Sequence, residues 1–301
     1  MISDWFETAI KNLKADNISG SEEIVRKAIL IVKQQITNYP ERFSTINELV
    51  IMLREVIKIK KEMAALRNVL IYFIDFFQMG VAVEDIADRV LEKLNDQRAS
   101  IADKLVPILA QCKTIMTYSR SSTLVFSLLE LTKTMSKEDL PELVVFESRP
   151  ALEGKKLALE ASKAGFKVNY LVDAAMGLAM KTFKPDIVVI GADAIFPNGN
   201  VANKIGCHAL AMFAYQFNVP MYVASTTLKL LLRPIPFAIQ SYKSAEVWSK
   251  EKPEEVKIFN PYFELIPCDL IHGYITEFGI SDNIPDVKLE IEKEYIHKLY
   301  D

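Results

Sequence analysis

The chain has 301 residues, half hydrophobic and a quarter charged, which favours two domains over one core. Its 36 basic and 39 acidic side chains nearly cancel, so the basic excess of a direct nucleic-acid binder is absent, and no apolar run is long enough to span a bilayer. Three scattered cysteines (Cys112, Cys207, Cys268) and three histidines without ligand spacing exclude a disulfide framework and a zinc knuckle.

No metal or cofactor is therefore expected. The opening Met1-Ile-Ser-Asp-Trp-Phe-Glu carries no signal pattern, so the expected location is cytoplasmic.

From Asp4 to about Leu109 apolar residues recur at three- and four-residue spacings, as in Ile24, Ala28, Ile31 and Val32. This period predicts helices over 3–14, 21–37, 44–78, 81–95 and 98–110, hence an all-helical domain over 1–110. Ser19-Gly20-Ser21 followed by Glu22-Glu23 reads as a helix start with carboxylates in its first turn. After Cys112 the period changes. Strands are predicted at 114–118, 143–147, 168–172, 187–191 and 220–224, with helices near 121–135, 153–164, 174–182 and 203–217 between them. Such alternation predicts an α/β domain over 111–301, with a mainly parallel sheet covered on both faces and ligands bound at the carboxyl ends of its strands. The tail beyond Arg233 is less regular, and the charged stretch from Asp286 to Asp301 reads as a peripheral helix.

Polar residues collect at the predicted strand ends. In Gly191-Ala-Asp-Ala a buried strand stops at a glycine and releases Asp193. A turn on Asn198-Gly199 then leads toward a helix whose first residues include Asn203 and Lys204. A lysine there fits half of a site for a phosphorylated ligand, or else a solvated loop. Ser119, Arg120 and Ser121 precede a helix and fit either a phosphate cradle or an N-cap beside a surface arginine. In Glu147-Ser-Arg-Pro150 the proline denies Arg149 the α-conformation, aiming its guanidinium across the rim or pairing it with Glu147. Asp173 follows a further strand.

The ordered series Glu147-Ser-Arg-Pro, Leu152-Glu-Gly-Lys-Lys, Val172-Asp-Ala-Ala-Met-Gly, Gly191-Ala-Asp, Asn198-Gly and Asn203-Lys-Ile-Gly resembles one family. It is that of the α, β and δ regulatory subunits of translation initiation factor 2B, which also holds methylthioribose-1-phosphate isomerase and archaeal ribose-1,5-bisphosphate isomerase. The resemblance is specific from about 112 to 280, including Asn260-Pro-Tyr-Phe and Ile275-Thr-Glu-Phe-Gly279. It implies an N-terminal helical domain joined to a Rossmann-like domain that carries the dimer interface.

The isomerases use a cysteine after the first strand and the aspartate of Gly-Ala-Asp. The resemblance places Asp193 at the second position and Ser119 at the first, and a serine hydroxyl is a poor acid or base near neutral pH. Cys112 and Cys207 read as small buried apolar residues. An Arg-Gly-Ala motif of the isomerases corresponds to Ser19-Gly20-Ser21, so one phosphate-gripping arginine is missing; Arg42 is similar to another ligand position. The resemblance thus implies a non-catalytic, archaeal regulatory subunit. Its partner would be initiation factor 2, through the α subunit. It would form a homodimer or larger ring and hold a sugar phosphate or AMP around Arg149, Asp193, Asn203 and Lys204. The alternative is an aldose–ketose isomerase acting on a pentose phosphate.

Overall fold

The computed structural model describes residues 3–16, 20–59, 63–231, 236–249, 253–282 and 284. The described residues divide into two compact units, those up to 97 with 227–230, and those of 98–226 with 231–284. The expected helix over 286–301 and Ser19 lie outside the described residues.

The first unit is helical: α1 (Asp4–Ala15), α2 (Ser21–Asn38), α3 (Ile46–Ile57), α4 (Ala64–Gln78) and the start of α5 (Val83–Leu109). On α2, Ile24, Ala28, Val32 and Ile36 form the buried stripe that the sequence period promised. Thr45 and Glu48 start α3 with a reciprocal capping box. On α4 every residue from Ala64 to Ile74 except Arg67 is buried, which makes it the centre of this unit. The buried Asn68 amide donates to the carbonyls of Leu228 (2.8 Å) and Leu230 (2.6 Å), tying that returning turn to α4.

Two helix expectations are corrected. The stretch 44–78 holds two helices, since α3 stops at Ile57. The stretches 81–95 and 98–110 form one helix, because Ile86, Val90, Leu94, Gln97, Ile101, Leu105 and Leu109 carry one buried stripe through the expected gap. The division between units falls inside this helix at Gln97–Arg98, whereas the sequence period changes at 110–111.

The second unit is built on β1 (Thr114–Thr117), β2 (Glu142–Phe146), β3 (Val168–Leu171), β4 (Ile187–Ile190), β7 (Met221–Ala224), β9 (Gly273–Thr276) and β10 (Gly279–Ser281). Their order is β10-β9-β7-β4-β1-β2-β3, parallel throughout except for β10. From β1 the chain builds outward to β3, then returns to place β4 on the other side of β1. This reversal is where parallel sheets open a crevice for ligands. On one face α6 (Ser122–Thr134), α7 (Glu153–Ala164) and the end of α5 bury Leu143, Val145, Ile187 and Val189. Helices α8 (Met176–Phe183) and α9 (Cys207–Gln216) pack on each other and against β2 and β7.

A small antiparallel sheet joins β5 (Ala194–Ile195), β6 (Val201–Lys204) and β8 (Phe263–Ile266). It corrects the expected helix start: Asn203 and Lys204 lie on a strand, and α9 begins only at Cys207. Asn198-Gly199 closes a hairpin, with Gly199 at φ 92° and the Phe196 N–H bonded to the Asn200 carbonyl at 2.8 Å. Asn-Gly between short apolar runs is a hairpin signal in its own right. Among the described residues no helix is long and apolar enough to cross a membrane.

Candidate functional site

At the β1–β4 reversal, Gly191 lies so close to Ser121 that a Cβ on it would stand 2.8 Å from the Ser121 side chain. Asn203 donates to the Gly191 carbonyl at 2.8 Å and pins β6 to the end of β4. The Asp193 N–H bonds the Ala202 carbonyl at 2.9 Å, leaving its half-buried carboxylate without a hydrogen bond or ion pair among the described residues. Ser119, at φ 61°, donates its N–H to Ser148 Oγ at 2.8 Å, joining the β1 and β2 ends. In this way the fold gathers Ser119, Arg120, Ser121, Arg149, Asp193, Asn203 and Lys204 along the carboxyl edge of the second unit.

The cationic and N–H groups named along this edge are met from within the chain. Arg120 makes a two-pronged pair with Glu160, at 2.8 and 3.0 Å, and Ser121 caps α6 by accepting the Leu124 N–H at 3.3 Å. The successive N–H groups of Ser148 and Arg149 form an anion-binding nest, and Asp173 fills it at 2.8 and 2.7 Å. The exposed Arg149 guanidinium donates to the Glu246 carbonyl at 2.8 Å, not to Glu147. At the amino end of α9 the N–H groups of Gly206 and His208 both bond Glu264 Oε1, at 2.6 and 2.8 Å. Lys204, only 6% exposed, pairs with Glu153 at 2.7 Å and lies over the rings of Tyr262 and Phe263. The structure thus supplies the anion that a lysine near a helix start requires, but from side chains far away in the sequence.

Two protonated groups border this array. Burial, and then the Asp173 carboxylate, hold the Tyr118 hydroxyl well above its ordinary range. Burial does the same to the Cys207 thiol, reinforced by Glu264 and Asp193 and opposed by Lys204. Cys112 is pushed up to about 11 by burial and then by Asp186. With a thiol-specific chromogenic reagent at pH 8, the exposed Cys268 should react first and Cys112 slowly. Cys207 should react only after unfolding; a fast second thiol in the native protein would contradict this burial.

In the first unit, Gly20 is the N-cap of α2 and Ser21 its first residue. The largely buried Lys229 donates to Ser21 Oγ, bringing a positive charge to the first residue of α2. Arg42 is exposed, stacked over Tyr39 at 4.2 Å and near Glu41 at 3.8 Å. Gly20, Ser21 and Arg42 therefore sit in one unit and the remaining candidate residues in the other.

A model of the initiation factor 2 subunit family matches residues 17–283. The chain belongs to the initiation factor 2 subunit family. One relative in that family, from Pyrococcus furiosus and described as translation initiation factor eIF-2B subunit 2-like, is 29% identical over 93% of this chain and 97% of its own length. Another, methylthioribose-1-phosphate isomerase 2 of Pseudothermotoga lettingae, is 42% identical, but over 44% of this chain and 41% of its own length. The fold is also that of the Pyrococcus horikoshii translation initiation factor eIF-2B, with TM-score 0.76, 23% identity and coverage of 93% and 98% of the two chains. The 5-methylthioribose 1-phosphate isomerase of the same organism follows at 0.73 and 20%, covering 98% and 87%. The family therefore spans initiation-factor and isomerase descriptions on one fold.

Glu153, Glu264, Tyr118, Glu246 and Lys229 escaped the sequence reading as site residues. Glu153 carried the only local signal, an acidic residue in the first turn of a predicted helix. Glu264 and Lys229 reach their partners through long-range pairing that no local pattern announces.

Proposed function

We propose that this chain is a non-catalytic regulatory subunit of the initiation factor 2B type, which binds initiation factor 2 through its α subunit and assembles with copies of itself. One observation carries the reading: Lys204, Arg120, the Ser148–Arg149 nest and the amino end of α9 are filled by the chain's own Glu153, Glu160, Asp173 and Glu264. An isomerase would need such features open for a sugar phosphate, and a group to exchange protons, whereas Cys207 is buried and protonated. The match along nearly the whole eIF-2B-like relative points the same way. Self-assembly is supported by Leu178, Met212 and Tyr215, 57–69% exposed on the adjacent helices α8 and α9. A tetrameric eIF2B β2δ2 complex from C. thermophilum has the same fold, with TM-score 0.64, 18% identity and coverage of 92% and 90%.

The experiment is capture of purified initiation factor 2 subunits on the immobilised chain. Retention of the α subunit at micromolar concentration is expected; its absence would refute the assignment. The isomerase reading retains one specific support, the unpaired Asp193 carboxylate. Incubation with ribose-1,5-bisphosphate and methylthioribose-1-phosphate should give no ketose product. Turnover that disappears in Asp193→Asn would establish the isomerase instead.

A further inference from the structure

Between β7 and β8 the turn 242–248 is attached to the carboxyl edge on two sides, and the two attachments differ in kind. Toward β8 it is held several times over. The Tyr242 N–H bonds the Asn260 carbonyl at 2.8 Å, and the Asn260 N–H bonds Ser241 Oγ at 3.0 Å. The buried Asn260 amide donates to the Lys243 carbonyl and to Glu246 Oε2, both at 2.9 Å. The Tyr262 hydroxyl reaches the same Oε2 at 2.6 Å, and the Tyr242 and Tyr262 rings stack at 4.1 Å. Toward β2 the attachment is one hydrogen bond among the described residues, from the exposed Arg149 guanidinium to the neutral Glu246 carbonyl at 2.8 Å. Arg149 itself is anchored, since its N–H bonds Asp173 at 2.7 Å. Tyr262 carries the Lys204 ammonium over its ring at 4.6 Å, so the turn joins the Arg149 and Lys204 sides of the edge.

We infer that the turn 242–248 is a hinged strap: Glu246 and Asn260 form its hinge at β8, Arg149 is its latch at β2, and release of that one bond swings it off the edge. An exposed hydrogen bond changes an equilibrium constant by a factor of about 2 to 10, which biases the strap toward closure without locking it. The hinge outlasts the latch because its bonds are several, and because Asn260 and Tyr262 are buried. Closure also has a cost for the edge. Of Arg120, Lys204 and Arg149, only Arg149 has no carboxylate partner among the described residues, and the closed strap occupies it. The strap is therefore an autoinhibitory contact, and opening it frees the guanidinium. This inference goes beyond the regulatory reading and is independent of it, since capture of initiation factor 2 bears on neither latch nor hinge.

The experiment is a distance measurement by pulsed electron paramagnetic resonance on the full chain. One spin label sits on the strap at Ser244→Cys and the other on α7 at Lys155→Cys, both exposed positions, with Cys112→Ala and Cys268→Ser to leave no other reactive thiol. Arg149→Ala keeps the N–H that Asp173 holds and removes only the latch. It should raise the ratio of the second, open distance to the closed one about 2- to 10-fold. Arg149→Lys, which retains a donor, should fall between Arg149→Ala and the unlatched reference's opposite, the wild type. Arg149 is exposed, so both variants should fold. Glu246→Ala leaves the latching carbonyl in place but deletes the acceptor for Asn260 and Tyr262. It should broaden the distribution instead of moving weight between two distances. An unchanged ratio in Arg149→Ala would overturn the inference, and so would one and the same distribution in Arg149→Ala and Glu246→Ala.

Discussion

Replacing Gly154 by alanine should destabilise the second unit by about 3 kcal/mol or more, the upper range for a core overpacking change with no room to relax. A Cβ at this position would stand 1.7 Å from the Phe146 carbonyl oxygen and 2.8 Å from its carbon. Those atoms belong to the end of β2, whose neighbours β1 and β3 fix it on both sides, so the backbone cannot yield as a side chain would. Helix α7 would have to lift away from the sheet. Its first residue, Glu153, would then move relative to Lys204, and Ser148 Oγ, 3.1 Å from the same Cβ, would be disturbed in its bond from Ser119. The check is urea unfolding of both proteins at equal m-value. A loss below about 1 kcal/mol would mean that α7 slides without resistance and that the close approach does not position Glu153.

Much of this fold was legible because its signals are local. The five strands expected at 114–118, 143–147, 168–172, 187–191 and 220–224 are β1, β2, β3, β4 and β7, since a buried parallel strand is a short apolar run by necessity. Helix α7 falls on the expected 153–164, marked by Glu153 at its start and closed by Gly165 at φ 107°. The small sheet was missed for the opposite reason: β6 becomes a strand by pairing with β8, about sixty residues later, and nothing within Val201–Lys204 announces that partner. The two helices expected over 81–95 and 98–110 are one helix, α5, because burial runs on through Leu94, Gln97 and Ile101 across the polar run Asn95-Asp-Gln-Arg98. The site divides in the same way. Polar residues at strand ends could be named from sequence, since strand termini carry function in such sheets. Which carboxylate would answer which cation could not, because Glu160, Glu153 and Glu264 meet Arg120, Lys204 and the α9 terminus only in three dimensions.

Lys204→Met should cost about 2–3 kcal/mol, and adding Glu153→Leu should recover most of that loss. Removing one partner of a buried pair leaves an uncompensated charge, an effect of about 3–5 kcal/mol when both partners are fully desolvated. Lys204 is desolvated, its side chain 7% exposed, but the Glu153 side chain is 25% exposed, so water relieves part of the penalty and the lower figure applies. Methionine keeps the length of the lysine stem and places a polarisable sulfur against the Tyr262 and Phe263 rings, so packing changes little and the loss reports the charge. Leucine at 153 then removes the stranded carboxylate together with its donorless Oε2, and an apolar pair of similar volume is commonly neutral or stabilising relative to a buried ion pair. The double variant should therefore fall within about 1 kcal/mol of the wild type, well below the sum of the two single losses in a four-member unfolding cycle. Additive losses would mean that the two side chains do not act on each other in solution, and that Lys204 is not neutralised by Glu153.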